Sequence, residues 1–557
     1  MRLSHIIVIS YISLAEGFLG KSQLKPSAFV DLSLQASTNK CDVAIFGGGF
    51  GGLYSALSLS REAQTKGKKL DIAIVDPSTQ FVFLPLLYDL TVGTATSAEV
   101  CPTYEDILKG TGVRHIKASL DSYTSGNFRS ANLCTGQEEP SDNGDGSNST
   151  TLELSFRSSV LAVGSSPESS LASVPGALEN VQPFYTQENA KETLRILEDL
   201  EDQVVAKGNN ESPRIAIVGG GYGGVELAAC IKRRLPDCHV RLLTRGPPMK
   251  GTRAEQLVDK ALNKLGVNVE ISSVQEITRG EEGDIFVKRQ LPNDDDAEND
   301  KISNEPWSVV FWTAGAGPSS PVSGDMDGLL KADSGRLAVE STLRCIPNQS
   351  SIQQDQNSVW ALGDCAEIVD KEDGALVAPK TAQAAMQQAD VVAQNVLAEL
   401  TVNSEAATKE FQYQDLGTML TLGGPNAAVL APVENSPLAP VFKPLLDTAR
   451  IGFGIADEAF ANLSKSPVVA TLGLSPVVDS IENLGLSLGG YGLGVDSDTS
   501  PGTLAGTLTG AARRAVYAVR MPTNKQRATA AASAAISTAA ALAKEAVQKL
   551  EENDGKR

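Results

Sequence analysis

No C-x-x-C pair occurs among the seven cysteines of this 557-residue chain, and their spacing is irregular. That excludes a disulfide framework and leaves ordinary reduced or buried thiols. No cysteine lies between Cys41 and Cys101, so the redox-active C-x4-C pair that a disulfide reductase carries early in its first helix is missing. Past the first forty residues no apolar run is long enough to cross a bilayer, and the mature chain is expected to be soluble or peripheral. Basic charge is also short: 48 Lys and Arg stand against 67 Asp and Glu, a net charge of −19. Such a surface repels nucleic acid and anionic lipid alike. A phosphate-backbone partner is disfavoured, and membrane docking has to come from a local patch.

The length suits roughly three domains of about 150 residues each. Residues 1–40 differ from the rest: Arg2 leads a short apolar run from Ile6 to Leu14, followed by the small residues Ala15 and Gly17 and then Phe18. From there to Lys40 the chain carries serines and lysines and a single acid, Asp31. A signal-type core followed by a transit-type segment reads as a bipartite presequence for a plastid, with a mitochondrial leader as the alternative. Gly136 to Thr150 and Leu291 to Pro306 are polar and read as solvated loops. Residues 431–505 are rich in Gly, Ser, Pro and Leu and read as an insertion, and Arg527 to Leu550 is an alanine-rich helix former.

One supersecondary unit occurs twice. The run Cys41 to Phe46 enters Gly47-Gly48-Gly49-Phe50-Gly51-Gly52, a helical stretch follows from Leu53, and a second strand ends at Asp76. Arg214 to Val218 enters Gly219-Gly220-Gly221-Tyr222-Gly223-Gly224, then a helix from Val225 and a strand from His239. Strand, glycine turn, helix and strand make the βαβ unit of a parallel sheet. In each copy the first glycine (Gly47, Gly219) permits the tight turn. The second (Gly49, Gly221) lets a pyrophosphate approach the backbone, and the third (Gly52, Gly224) lets helix and strand pack closely. Unpaired N–H groups and the helix dipole then hold phosphate.

The residue that ends the second strand separates the two units. Asp76, 24 positions after Gly52, is placed to accept hydrogen bonds from the ribose hydroxyls of an adenosine, which suits FAD. The equivalent place, 20 positions after Gly224, holds Thr244 and then Arg245. A neutral residue and a guanidinium fork suit a 2′-phosphate, so NADPH is expected in preference to NADH. Downstream, the strand Ser358 to Leu362 ends in Gly363-Asp364, placed to meet the ribityl chain of FAD. A helix from about Thr381 carries Gln383, Gln387 and Gln388, the first two on one face. Its N-terminal partial charge would favour an anionic reduced flavin by on the order of 1 kcal/mol.

From about Cys41 to Thr523, apart from the insertion, the chain resembles the type II NAD(P)H dehydrogenases. The closest likeness is the plant and algal plastid branch, the alternative NAD(P)H-quinone oxidoreductases of type C1. The resemblance is carried by both glycine motifs and by Phe81-Val82-Phe83-Leu84-Pro85-Leu86-Leu87-Tyr88. Trp312-Thr313-Ala314-Gly315, Ala361-Leu362-Gly363-Asp364 and Arg520-Met521-Pro522-Thr523 match as well. Most specific is Thr381-Ala382-Gln383-Ala384-Ala385-Met386-Gln387-Gln388, which is similar to the family's quinone-site motif A-Q-x-A-x-Q-Q.

The resemblance implies an α/β fold of two Rossmann-like dinucleotide-binding domains, the NAD(P)H domain inserted in the FAD domain, and a membrane-associating C-terminal region. The implied bounds are 41–165 and 336–430 for FAD, 166–335 for NAD(P)H and 506–557 for the C-terminal helical region. The implied activity is hydride transfer from NAD(P)H to FAD and two electrons onward to a membrane quinone, plastoquinone or a phylloquinone precursor, without proton pumping. By position, Gln383 and Gln387 would line the quinone pocket, Pro85 and Ala382 would border the flavin, and Glu226 would lie near nicotinamide and flavin. No metal is expected, and the implied partners are a membrane met peripherally and a second copy of the chain as a homodimer. The tail departs from the family in being mostly alanine. The acid-free run Arg513, Arg514, Arg520, Lys525 and Arg527 is therefore the expected membrane-facing patch. Two rivals stay in view: a sulfide:quinone oxidoreductase using Cys345 and Cys365, and a flavin sensor resembling apoptosis-inducing factor.

Overall fold

The computed structural model describes residues 40–124, 130–135, 150–207, 212–291, 302–319, 322, 326–348, 359–369, 378–401, 408–415, 418–423, 427–430, 503–506, 513–514, 517–518, 520–523 and 525–533. The expected presequence, the polar stretch 136–149, most of the 431–505 insertion, and the expected alanine-rich helix past residue 533 lie outside the described residues.

In chain order, the elements that position the site begin with β1 (Lys40–Phe46), α1 (Phe50–Thr65), β2 (Ile72–Asp76), β3 (Val113–Lys117) and β4 (Thr150–Leu161). Then come β5 (Arg214–Val218), α2 (Tyr222–Arg234), β6 (His239–Thr244), β7 (Val309–Trp312), β8 (Val359–Ala361) and α3 (Ala382–Thr401). In the first sheet β2 lies between β1 and β3, parallel to both. On the other side of β1 lies β4, which carries β8 in parallel at its C-terminal end. The N-terminal half of β4 instead joins an antiparallel ribbon with Ser119–Thr124 and Ser130–Thr135. Val43 to Phe46 are all buried, the unbroken apolar run expected of a strand covered on both faces. α1 packs on this sheet through Leu53, Ala56, Leu59 and Ala63, spaced to form one helical stripe. It ends at Gly67, whose φ of 64° suits a left-handed helix stop.

The second sheet runs Asn268–Ile271, β6, β5, β7 and Gln182–Pro183, all parallel. The chain reaches it past Ser165–Ser166 and leaves past Gly317–Pro318, and these two short strands pair antiparallel. A three-stranded antiparallel ribbon follows β6: Ser273–Arg279, Ile285–Gln290 and Ile302–Trp307. The last strand corrects the reading of 291–306 as loop. Exposed Ile302 and Asn304 alternate with partly buried Ser303 and Glu305, and Trp307 anchors it in the core. Buried Arg289 joins Glu270 and Glu305, Arg241 bonds both, and the Arg241, Arg214 and Arg289 guanidinium groups all lie within 5.7 Å of the Trp307 ring.

The C-terminal arginines also depart from expectation. Arg513 and Arg514 point inward, 1% and 4% exposed, and pair with buried Asp89 at 2.6 Å and buried Glu99 at 3.0 Å. Arg527 donates to the Met521 carbonyl. Two carboxylates inside an apolar core require cationic partners, and this segment supplies them. Arg513 and Arg514 are therefore internal bracing and leave the expected membrane-facing patch, whereas Lys525 and Arg527 are exposed.

Candidate active site

The two glycine turns have the same build. A Cβ on Gly52 would overlap the Gly47 carbonyl, and one on Gly224 would overlap the Gly219 carbonyl. Gly47 and Gly219 take φ of 96° and 126°, where a side chain is strained. A Cβ on Gly47 would run into the Ala162 carbonyl at the end of β4, and one on Gly219 would meet the Thr313 hydroxyl at 2.6 Å. By contrast a Cβ on Gly49 or Gly221 would meet nothing within 4 Å. These are the cap residues of α1 and α2, and neither helix has an acid among its first residues to neutralise its dipole. Each turn is thus an open cradle of backbone N–H groups facing a free space, which fits a pyrophosphate.

Around the first cradle, Asp76 accepts from Gly48 N at 2.6 Å and from Ser78 N at 2.8 Å. Burial raises its pKa against these two hydrogen bonds and the nearby His115. Each carboxylate oxygen keeps a lone pair for a ribose hydroxyl. Tyr104 donates to Gly48 O at 2.9 Å and so fixes the crest of the turn. Around the second cradle, Thr244 is buried and its hydroxyl donates to Gly246 O at 2.9 Å. Met249, at φ 58°, donates to Gly220 O at 2.7 Å and folds the 245–249 loop back over the turn. Thr244 is therefore engaged within the loop, and exposed Arg245 is the member of the pair free to meet a phosphate.

The Gly363-Asp364 turn ends β8. Asp364 accepts from Ser165 at 2.9 Å, where the chain departs for the second sheet. α3 begins at Ala382 beside it, and Gln388 accepts from Gly363 N at 2.8 Å. Gln388 is thus the glutamine that reaches the turn, a role the shared face of Gln383 and Gln387 did not suggest. Gln383 accepts from the Tyr413 hydroxyl at 2.8 Å. Gln387 exchanges two bonds with the Gln414 backbone, at 2.9 and 3.0 Å. Both side chains therefore face the 408–415 segment and are held there.

Glu226 sits two residues after Gly224, fully buried, and accepts from Thr421 N at 2.8 Å. Burial raises its pKa from 4.5 to about 7, opposed chiefly by the charge of Arg513. The Tyr88 hydroxyl neighbours this carboxyl. Pro85, expected beside the flavin, offers its carbonyl to Arg513 at 3.1 Å. Asp89 and Arg513 were not anticipated. Their signal was present in the sequence, as one charge inside the apolar run Leu84-Pro85-Leu86-Leu87-Tyr88-Asp89-Leu90 and a pair inside Ala511-Ala512-Arg513-Arg514-Ala515-Val516.

The model of the pyridine nucleotide-disulphide oxidoreductase family matches residues 41–389. Over 397 residues the chain is 30% identical to the alternative NAD(P)H-ubiquinone oxidoreductase C1, chloroplastic/mitochondrial, of Arabidopsis thaliana, covering 70% of this chain and 72% of that protein. The chain belongs to the type II NAD(P)H dehydrogenases. Demethylphylloquinone reductase NdbB of Synechocystis sp. is 31% identical over 392 residues, 70% of this chain and 86% of that one. Among solved structures, NDH2 from Plasmodium falciparum in complex with NADH superposes with a TM-score of 0.57 at 14% identity, over 76% of this chain and 97% of that one. It shares the α/β dinucleotide-binding fold.

Within this family fold, the two cysteines of the sulfide rival are poorly placed for thiolate chemistry. Cys345 and Cys365 are free, buried thiols. Burial pushes the Cys365 thiol up to about 11 and the Cys345 thiol higher still. A thiol held protonated is a weak nucleophile.

Proposed function

We propose that this type II dehydrogenase is an FAD-dependent, non-proton-pumping NAD(P)H:quinone oxidoreductase of the plastid. The observation that carries the reading is the duplicated open cradle, two glycine turns of the same build within one family fold. When bound, FAD accepts a hydride from NAD(P)H and passes two electrons to the quinone. Gly47, Gly49 and Gly52 with the start of α1 would hold the FAD pyrophosphate, and Asp76 its adenosine ribose. Gly363 and Asp364 would meet the ribityl chain, with Pro85 and Ala382 at the ring. Gly219, Gly221 and Gly224 would hold the nicotinamide dinucleotide, with Arg245 supporting NADPH over NADH. Gln383 and Gln387 would border the quinone, and Glu226 would hold a proton beside it.

The segments 41–165 and 336–430 would then form the FAD domain around an NAD(P)H domain at 166–335. Among the described residues no helix is long and apolar enough to cross a membrane. Peripheral docking is inferred from the substrate, because a long-chain quinone resides in the bilayer. The names of the Arabidopsis and Synechocystis relatives support a plastid setting and a prenylated benzo- or naphthoquinone acceptor. Stopped-flow mixing tests the reading. NADPH should bleach the flavin quickly, and plastoquinone or demethylphylloquinone analogues should restore its colour quickly. Bleaching that persists in the presence of quinone would favour the sensor, and protein that stays colourless with FAD would overturn the proposal.

A further inference from the structure

Two arms from distant parts of the chain neighbour the Glu226 carboxyl. One is the strand Thr418–Thr421, whose Thr421 N donates to the carboxyl at 2.8 Å. The other is Tyr88, in the short helix Leu87–Thr91. The Tyr88 hydroxyl also lies near the second glycine turn, since a Cβ on Gly223 would lie 3.5 Å from it. Its ring packs on Phe184 at 5.3 Å.

One side chain braces both arms. Arg513 donates to Pro85 O at 3.1 Å and to Asp89 Oδ2 at 2.6 Å, closing the turn that carries Tyr88 from both ends. Its guanidinium also lies 5.4 Å from the Tyr517 ring centroid. The Tyr517 hydroxyl in turn donates to Met419 O, at 3.5 Å, on the strand that carries Thr421.

We propose that Arg513 is a positioning residue for Glu226: it braces the two arms that neighbour the carboxyl, and its charge, matched by Asp89, leaves Glu226 as the group that exchanges a proton in this cluster. This rests on the role given to Glu226 above. The titratable groups around the carboxyl are Tyr88 and Asp89 from the short helix, Tyr222 and Cys230 from α2, Arg513 and Tyr517 from the C-terminal segment. Tyr185 also neighbours Tyr88. Burial raises the Tyr88, Tyr222 and Tyr517 hydroxyls, so they stay protonated near neutrality. Arg513 and Asp89 cancel each other, and an ionised Glu226 would stand uncompensated. Arg513 is the largest influence holding its pKa down, and Asp89 opposes it.

The two partners should therefore move Glu226 in opposite directions, which loss of packing would not do. In full-length, FAD-loaded protein, the infrared carbonyl stretch of protonated Glu226, identified by its loss in E226Q, is followed against pH. R513Q should raise the midpoint by about one pH unit or more, and D89N should lower it by about as much. R513K should stay near wild type. Equal-sign shifts, or no shift, in R513Q and D89N would overturn the proposal. If R513Q does not fold, D89N decides alone, and a midpoint that rises or stays put refutes the bracing. The pH profile of kcat/KM for quinone separates the underlying reading: if E226Q keeps the wild-type limb while the band shifts as expected, Glu226 has no part in turnover and the bracing stands.

Discussion

The two βαβ units are nearly identical where they turn and different where they end. Gly52 abuts the Gly47 carbonyl as Gly224 abuts the Gly219 carbonyl, and Gly49 and Gly221 both face open space. The differences lie at two equivalent places. The second strand ends in a carboxylate, Asp76, in one unit, and in Thr244 with exposed Arg245 in the other. Two residues past the third glycine stands Tyr54 in one unit and Glu226 in the other. Tyr54 donates to Arg520 O, and Glu226 accepts from Thr421 N, so later segments of the chain close over both helices. Backbone geometry makes a dinucleotide cradle, and single side chains at its margin decide which dinucleotide it takes and what chemistry stands beside it.

The largest test breaks the shared part. G52A and G224A should each cost about 3 kcal/mol or more, because a methyl cannot coexist with the carbonyl below it. G49A and G221A should leave thermal stability within roughly 0.5 kcal/mol, yet weaken flavin retention in the first case and NAD(P)H binding in the second. Urea melts with flavin absorbance separate the two classes, and a strongly destabilised G49A would contradict the open-space geometry.

The Tyr54/Glu226 difference predicts a pH effect in one unit alone. The Glu226 pKa is raised from 4.5 to about 7, so between those values the native state holds a proton that the unfolded chain has released. Its contribution is full below the lower value, is lost as pH rises through the window, and is constant above it. Wild type should lose about 3 kcal/mol of unfolding free energy relative to E226Q across the window. Parallel curves for the two proteins would refute the burial argument. R245A should cut the NADPH/NADH preference in kcat/KM by about tenfold, on the order of 1.4 kcal/mol. Y54F should cost about 1 kcal/mol in chemical denaturation, the usual worth of one hydrogen bond.

Much of this was legible in the sequence because the cradles rest on local rules. An apolar run, a G-x-G-x-x-G turn and a helical stripe fix strand, turn and helix together, and β5 runs from Arg214 to Val218 as its residues predict. What escaped depended on distant partners. Thr244 could not be known to spend its hydroxyl on Gly246 O, nor Gln387 to bond the Gln414 backbone. Arg513 and Arg514 looked like a surface patch because a run of arginines is usually solvated. Only the fold reveals that Asp89 and Glu99 wait for them in the core. Ile302–Trp307 was missed for a related reason, since an exposed ribbon strand is polar and its register is set by the neighbouring strand.

The contacts that close the site span almost the whole chain. Arg513 is 424 residues from Asp89, and Arg520 is 466 residues from Tyr54. During synthesis both glycine turns emerge long before these arginines do, so neither half can be sealed until residues 513–520 leave the ribosome. A nascent chain thus carries Asp89 and Glu99 without their counter-charges for more than 400 residues of elongation, and the arrival of Arg513 and Arg514 is itself the event that closes the interior.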